Sequence, residues 1–513
     1  MPGEKPDPRH VVGWKLFRSG LLNLVNFAVG VPVMLLLVPF LLRELGREGY
    51  GVWTAANTLI GLSGLIQLGV VAAVVKLVAE HAARNEDEEL SRVLSSALAV
   101  HVVLSLAVAF AWAGADEWLA RWAFDAHGAR LALRNVVHGS LALFLARFPL
   151  ISYSGVISGV QRQDLVQVIN LGSTLAFAVI AVVLLRSGRG VAQLVWASAG
   201  VAGLATLAYI FVAHRLRPGL TVSPVLVTVT SVRRVLRFGM RVWASSISGT
   251  VHLSTDKMTL VSGLGRTDLV GLYHIAQETV EKVQSIPVML LGPLMAGASD
   301  LDARGEHDAV QGLYRRAQRY NWIVTVLMFG GAFAVGGPFV RVWLGGEQPY
   351  VVRSLNILCV GWAASALSIP ALHMLNGMGH PGDGMGASFL GAALNVALAL
   401  AIAFGSGPDW LAVGTSASFF IEAMWLFGRF HRRTGYPLRE SCVPEVPRVL
   451  LAACVAAALG ASLAAGAARA NPLPLLLGGV TYCLVYAGLV LALGAVDRRD
   501  APVLERLMGR VRH

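Results

Sequence analysis

Apolar runs of about 20 to 28 residues follow one another along almost the whole chain, separated by short polar breaks. An α-helix rises about 1.5 Å per residue, so each run is long enough to cross a hydrocarbon core roughly 30 Å thick. A soluble chain of 513 residues would divide into several domains, each with its own charged surface. Here 55% of residues are hydrophobic and only 14% are charged, and the mean hydropathy is +0.63. Average soluble proteins carry about a quarter charged residues. A soluble enzyme is therefore excluded, and the fold class expected is an all-α polytopic membrane protein.

Counting the runs gives about fourteen transmembrane helices. They lie near 17–42, 51–79, 93–114, 132–158, 165–185, 191–213, 238–263, 269–295, 320–340, 352–375, 386–405, 411–428, 449–468 and 474–496. The first run is too long for a signal-peptide core and no small-residue cleavage site follows it, so it is expected to be retained. Alternate loops differ in charge: those on the N-terminal side hold 27 Lys and Arg residues against 11 on the other side. By the positive-inside rule both termini are expected in the cytoplasm. The same rule reads the net charge of +12 as a topology signal rather than a nucleic-acid surface. The four cysteines form no CxxC pair and three lie in apolar runs, so neither disulfides nor a metal site is indicated.

The longest hydrophilic stretch, 214–237, contains Pro218, Gly219 and Pro224 and divides two sets of six spans. Leu45, Gly46 and Arg47 followed by Gly51, Val52 and Trp53 recur as Leu264, Gly265 and Arg266 followed by Gly271, Leu272 and Tyr273. At a similar offset Pro149 matches Pro370 and Gly159 matches Gly379. A shift of six spans is even, so the repeats are parallel, as in one class of transporters. The expected organisation is a cytoplasmic N-terminus 1–16, an N-lobe 17–213, a linker 214–237, a C-lobe 238–430, a cytoplasmic loop 431–448, two further helices in 449–496 and a basic tail 497–513. The tail interleaves Val503, Leu504, Leu507 and Val511 with arginines and could lie as an amphipathic helix on an anionic leaflet.

The glycine-bearing turn after the first span, the Gly51-x-Trp53 opening of the second and Leu68–Gly69 within it resemble the start of bacterial polysaccharide-biosynthesis membrane proteins. These are the oligosaccharidyl-lipid, or O-unit, flippases of the multidrug/oligosaccharidyl-lipid/polysaccharide exporter superfamily. Val270–Ala276, Val342–Gly345 and Leu375–Gly379 extend the likeness over most of the chain. The resemblance implies two lobes about a cavity that opens alternately to either side of a bacterial inner membrane. It also implies translocation of an undecaprenyl-pyrophosphate-linked oligosaccharide for O-antigen, capsule or exopolysaccharide assembly, with no enzymatic step. The implied partners are the lipid-linked oligosaccharide, the phospholipid bilayer and polysaccharide polymerase or assembly proteins, with no nucleic acid. Two alternatives within the superfamily are a lipid II flippase and a multidrug/cation antiporter. A membrane glycan polymerase is disfavoured because the longest external loop, about 114–131, is short.

Ionisable groups inside spans cost a few kcal/mol at the bilayer centre and usually face a cavity or a partner. Arg147 sits midway along the fourth span, where its guanidinium fork suits a pyrophosphate. The alternative is a structural bond to a carbonyl freed by Pro149. Asp256 and Lys257 are adjacent in the seventh span and point about 100° apart, so they face different surroundings unless the pair borders water. Asp256 is a candidate for a coupling proton or sodium ion, and Lys257 for the substrate anion. In the eighth span Glu278 and Lys282 have the spacing to pair on one face, which leaves Glu281 as a candidate proton carrier. Glu422, in the twelfth span, reads as a lone carboxylate suited to a proton relay. Lys76 and Arg18 lie near the cytoplasmic mouth, where lysines commonly snorkel and where a phosphate would first be met. No cofactor is implied beyond a possible coupling H⁺ or Na⁺. The dispersed His101, His138, His252, His274 and His373 read as core residues rather than metal ligands. Gly377–Gly386 lacks the Lys-Ser of a phosphate loop, and no ATPase module is present. Trp118, Trp122, Phe124, Trp343, Tyr350 and Trp410 fall at outer span ends as an interfacial belt.

Overall fold

The computed structural model describes residues 8–82, 84, 86–124, 147–291, 294–405, 407–440 and 445–496. Side chains are described for fewer of them: those of 8–24, 59–68, 111–124, 241–247, 296, 303 and 440 are not. Two compact units divide the chain, Met1–Gly271 and Leu272–His513.

In the first unit the helices are α1 (Pro8–Ala82), α2 (Asp87–Phe124), α3 (Ser152–Gly159), α4 (Gln163–Arg186), α5 (Val191–Leu216), α6 (Val229–Met258) and the start of α7 (Thr267–Leu291). The second unit holds the rest of α7, then α8 (Leu294–Ala303), α9 (His307–Leu344), α10 (Pro349–Gly377), α11 (Pro381–Gly405), α12 (Trp410–Thr434), α13 (Val446–Ala464) and α14 (Leu473–Ala492). Among the described residues the extended structure is a single bridge between Ala468 and Asn471. The chain is thus an all-α, multi-pass membrane protein. Every expected span except the fourth falls on a described helix, and the fourth is described only from Arg147 onward. By length and composition ten helices qualify as membrane spans among the described residues.

Helix boundaries differ from the sequence expectation in two places. The first two spans form one helical run, broken at Gly46, whose φ of 69° lies in the left-handed region that favours glycine. The expected linker 214–237 shortens to 217–228, because α5 continues to Leu216 and α6 begins at Val229. Thr228 starts α6 there: its hydroxyl accepts the Ser231 backbone N–H at 3.2 Å, as an N-cap should.

Glycine sets the close approaches inside the first unit. Gly239 of α6 lies against the backbone of Gly69 on α1, where a Cβ would come within 2.9 Å of the Gly69 carbonyl oxygen. Gly155 and Gly159 of α3 seat Val74 and Val78 of α1, both fully buried. Around them Leu90, Val93, Leu94 and Ala97 of α2 with Val156 and Ile157 of α3 complete an apolar core. The repeated motif is structural as well. Gly265 shares the left-handed backbone of Gly46, with φ of 61°. Gly51 leaves room for the Thr267 carbonyl, and Gly271 leaves room for the Tyr50 ring. Beside them Arg266 donates twice to Asp268, at 2.9 and 3.0 Å, which holds that carboxyl below the usual carboxylate range.

In the second unit α10 and α12 meet where Gly361 abuts Ser416, whose hydroxyl donates to the Ile357 carbonyl at 2.7 Å. The last two helices dock on α9 through two buried tyrosines of α14. Tyr486 donates to the Ile323 carbonyl at 2.8 Å and Tyr482 to the Val326 carbonyl at 3.1 Å, with Gly330 and Gly331 making room for the Tyr482 ring. A buried phenol needs such a partner, and backbone oxygens of α9 supply it.

Candidate functional site

Arg147 stands two residues before a turn of 3-10 helix at Pro149–Ile151 that leads into α3. Proline fixes φ and removes a donor, so the α-helical ladder is interrupted beside the guanidinium. The carbonyl four residues before Pro149, the alternative partner for this guanidinium, lies outside the described residues. Among the described residues Nε of Arg147 donates to the Thr206 hydroxyl of α5 at 3.2 Å, and the guanidinium interacts electrostatically with the Tyr209 phenol one turn along. Tyr209 in turn donates to Oδ1 of Asn170 on α4 at 2.6 Å. Nearby, His101 of α2 is fully buried, shares a hydrogen bond with the Ser152 hydroxyl at 2.9 Å and lies edge-on to Phe148. Arg147 therefore sits among hydroxyl, phenol and amide groups.

Proline-freed carbonyl chemistry occurs at the matching position of the second unit. Pro370 cannot donate to the Ala366 carbonyl four residues earlier, and Nδ2 of Asn321 on α9 donates to that oxygen at 2.9 Å. One turn away on α9, Gln318 donates to the Leu367 carbonyl at 3.1 Å. Asn321 also accepts from Thr325 at 3.2 Å, and all three side chains are buried. The sequence reading passed over them, although Gln318, Asn321 and Thr325 at spacings of three and four in an apolar run were the available signal.

Asp256 and Lys257 are both buried, 1% and 9% exposed, so neither borders open water in this structure. They end α6 immediately before a turn of π-helix, Thr259–Gly263. Such turns favour functional positions because they displace the side-chain register. Nothing described joins them to Arg147. Lys76 is half exposed, 3.7 Å from Glu80, and its ammonium lies 4.8 Å from the centre of the Phe238 ring. The Arg18 side chain lies outside the described residues, as do His138 and the tail.

In the second unit the expected Glu278–Lys282 pair is present at 4.0 Å and gains a third member, His274, 3.4 Å from the other carboxylate oxygen. Glu281 is exposed. The reading of Glu422 as a lone carboxylate is corrected: its Oε1 accepts from the Ser388 hydroxyl of α11 at 2.9 Å, and Gly391 one turn along leaves space for its other oxygen. Among the described residues no three His, Cys, Asp or Glu side chains gather as a metal site.

Two further acids were not anticipated. Asp164, buried at the start of α4, accepts both Nε and Nη2 of Arg162 at 3.0 and 3.2 Å. Asp383, buried at the start of α11, holds Arg429 at 2.6 Å and also Arg433, one turn further along α12. Arginines that counted only as topology signals are thus also ion-pair partners. The acids occupy corresponding places in the internal repeat.

These features define a multi-pass membrane protein with a guanidinium beside a proline-broken helix and buried polar positions in each unit. The family described as polysaccharide biosynthesis protein matches residues 18–298, more than half of the chain, and the protein belongs to that family. The chain is 22% identical over 382 residues to the Shigella flexneri protein named "Putative O-antigen transporter", covering 71% of this chain and 85% of that one. Its fold is similar to that of the lipid II flippase MurJ in an inward closed conformation, with a TM-score of 0.67, 12% identity, and coverage of 92% of this chain and 99% of that chain. It is also similar to an inward-facing multidrug resistance MATE family transporter, with a TM-score of 0.62, 14% identity, and coverage of 80% and 99%.

Proposed function

We propose that the protein is a flippase of the bacterial inner membrane that carries a polyprenyl-pyrophosphate-linked oligosaccharide to the outer leaflet by alternating access, with both termini in the cytoplasm. The observation that carries this reading is Arg147. Among the described residues its partners are a hydroxyl and a phenol, not a carboxylate. A guanidinium stays charged when desolvated, and in a span it is costly unless an anion compensates it. A diphosphate supplies that anion with matching bidentate geometry. Lys257 and Lys282 are further cations inside spans, and Lys76 and Arg18 would meet the headgroup on entry. A cation exporter needs the opposite polarity at this position. The protein transports and does not catalyse, and polymerase or assembly proteins would take the delivered glycan.

The test is flipping of a fluorescent undecaprenyl-pyrophosphate oligosaccharide in proteoliposomes. The wild type should flip it, and Arg147→Ala should lower the rate by about tenfold or more, since charge-assisted hydrogen bonds contribute roughly 1.5 to 3 kcal/mol. Dependence on an imposed proton or sodium gradient would direct substitution to Asp256, Glu281, Glu422 and Glu278. A folded wild type that flips nothing under either gradient, yet exports a cationic dye, would overturn this reading in favour of an antiporter.

A further inference from the structure

Helix α4 has two exposed faces of opposite chemistry. Val168, Leu175, Val179 and Val183 recur at helical spacing and are 42% to 64% exposed, as a lipid-facing stripe is. On the other side of the helix, at 100° per residue, lie Gln163, Gln167, Asn170 and Thr174. That second side is the packed one: Val166, Ala181 and Leu185 on it are buried, and Phe177 stacks on Trp53 of α1 with centroids 5.5 Å apart. Yet Asn170 and Thr174 are exposed there, and Gln163 and Gln167 are half-buried. The inward side of α4 is therefore closed near Ala181 and open near Asn170, and its open part is polar.

The amides on this face have their oxygens engaged. Oε1 of Gln163 accepts from Ser158, Oε1 of Gln167 from Asn26 of α1, and Oδ1 of Asn170 from Tyr209. An amide also carries two N–H donors, and those of Gln163, Gln167 and Asn170 have no partner among the described residues. Polar side chains in a span are rare unless they pair or line a water-filled space. The result is a row of neutral donors along about 10 Å of helix. Tyr209, which holds Asn170, stands on α5 three residues from Thr206, the hydrogen-bond partner of Arg147.

We propose that Gln163, Gln167, Asn170 and Thr174 form a subsite for the sugar headgroup, the three amides donating hydrogen bonds to its hydroxyl, ring and amide oxygens and the Thr174 hydroxyl, which itself donates to the Asn170 carbonyl at 3.1 Å, accepting from a sugar hydroxyl. This assignment rests on the flippase reading, with Arg147 at the diphosphate and the first sugars laid along α4. Neutral donors suit uncharged oxygen-rich rings. A drug cation would need carboxylates or aromatic faces, and a bare phosphate would be served by cations.

The test compares two probes on the full chain in nanodiscs: undecaprenyl pyrophosphate and the same lipid bearing a disaccharide. The wild type should bind the glycosylated lipid more tightly. Asn170→Ala should weaken that binding by about tenfold and leave the sugar-free lipid within about twofold, as expected for loss of ligand hydrogen bonds. Thr174→Val, isosteric and exposed, should act in the same direction if Asn170→Ala disturbs folding through Tyr209. Arg147→Ala should weaken both lipids, and lipid-facing Val179→Ala neither. Equal losses for the two lipids in the α4 variants, or none, would overturn the sugar subsite and leave the flippase reading intact. A wild type that binds both probes equally would do the same. A wild type that binds neither would remove the flippase reading itself and the subsite with it.

Discussion

Gly391 and Glu422 share a volume that neither could occupy with any larger neighbour. A Cβ at position 391 would collide with the Glu422 carboxylate, and Glu422 is held in place by Ser388 one turn before that glycine. Overpacking of this kind costs about 1 to 3 kcal/mol. Gly391→Ala is therefore expected to lower the unfolding temperature of the detergent-purified protein, and Glu422→Ala in the same chain should restore most of it. Additive losses in the double variant would show that the two residues do not share the space. Glu422 was legible in the sequence because any carboxylate in the middle of an apolar run stands out. Its partner was not, because a serine 34 residues away carries no mark of where its helix will lie. Arg147 divides in the same way: its place two residues before Pro149 was readable, whereas Thr206 and Tyr209 became its neighbours only through the packing of α5.

At the scale of elements, proline is the feature whose consequences reach furthest. Pro370 interrupts α10, and the orphaned Ala366 carbonyl is satisfied by Asn321 from another helix. Removing that donor leaves a buried acceptor without a partner, a loss of about 1 to 3 kcal/mol. Asn321→Ala alone should destabilise the protein accordingly. In a Pro370→Ala background the new backbone N–H can bond Ala366 itself, so the same substitution should cost much less. A double-mutant cycle in thermal unfolding reads this coupling directly, and a coupling near zero would mean that Asn321 serves some other group. The sequence placed both prolines within their spans and matched them across the repeat. It could not show that an asparagine would serve the carbonyl freed by Pro370, because that depends on which helix packs alongside. The repeated glycines were better marked. Gly46 and Gly265 stand at left-handed turns and Gly51 and Gly271 at close crossings, both demands that only glycine meets and that therefore leave a residue-level trace.

For the whole molecule, the count of spans and the bias of arginine are the two properties from which orientation follows. In the orientation proposed above, fourteen crossings put both termini on one side and the charge bias assigns that side to the cytoplasm. Part of that bias now has a second explanation, since Arg162, Arg429 and Arg433 are engaged by Asp164 and Asp383. The cluster from Arg215 to Arg241 remains the strongest topological signal, and the loop within it contains Val225, which is 88% exposed. Ser187, in the turn between α4 and α5, is exposed and lies one span away. A membrane-impermeant maleimide should therefore label Ser187→Cys in spheroplasts and Val225→Cys only after permeabilisation. Native Cys359 is buried, Cys454 and Cys483 are exposed on the helices α13 and α14, and Cys442, in the 431–448 loop, is replaced by serine in both variants. A water-borne, membrane-impermeant reagent reaches neither a buried thiol nor one within an apolar span, so the background from the other three should be low. The opposite labelling pattern would invert the molecule in its membrane. It would then place the Lys76 and Arg18 entrance on the outer face, and a flippase loading its substrate from the cytoplasm could not use it.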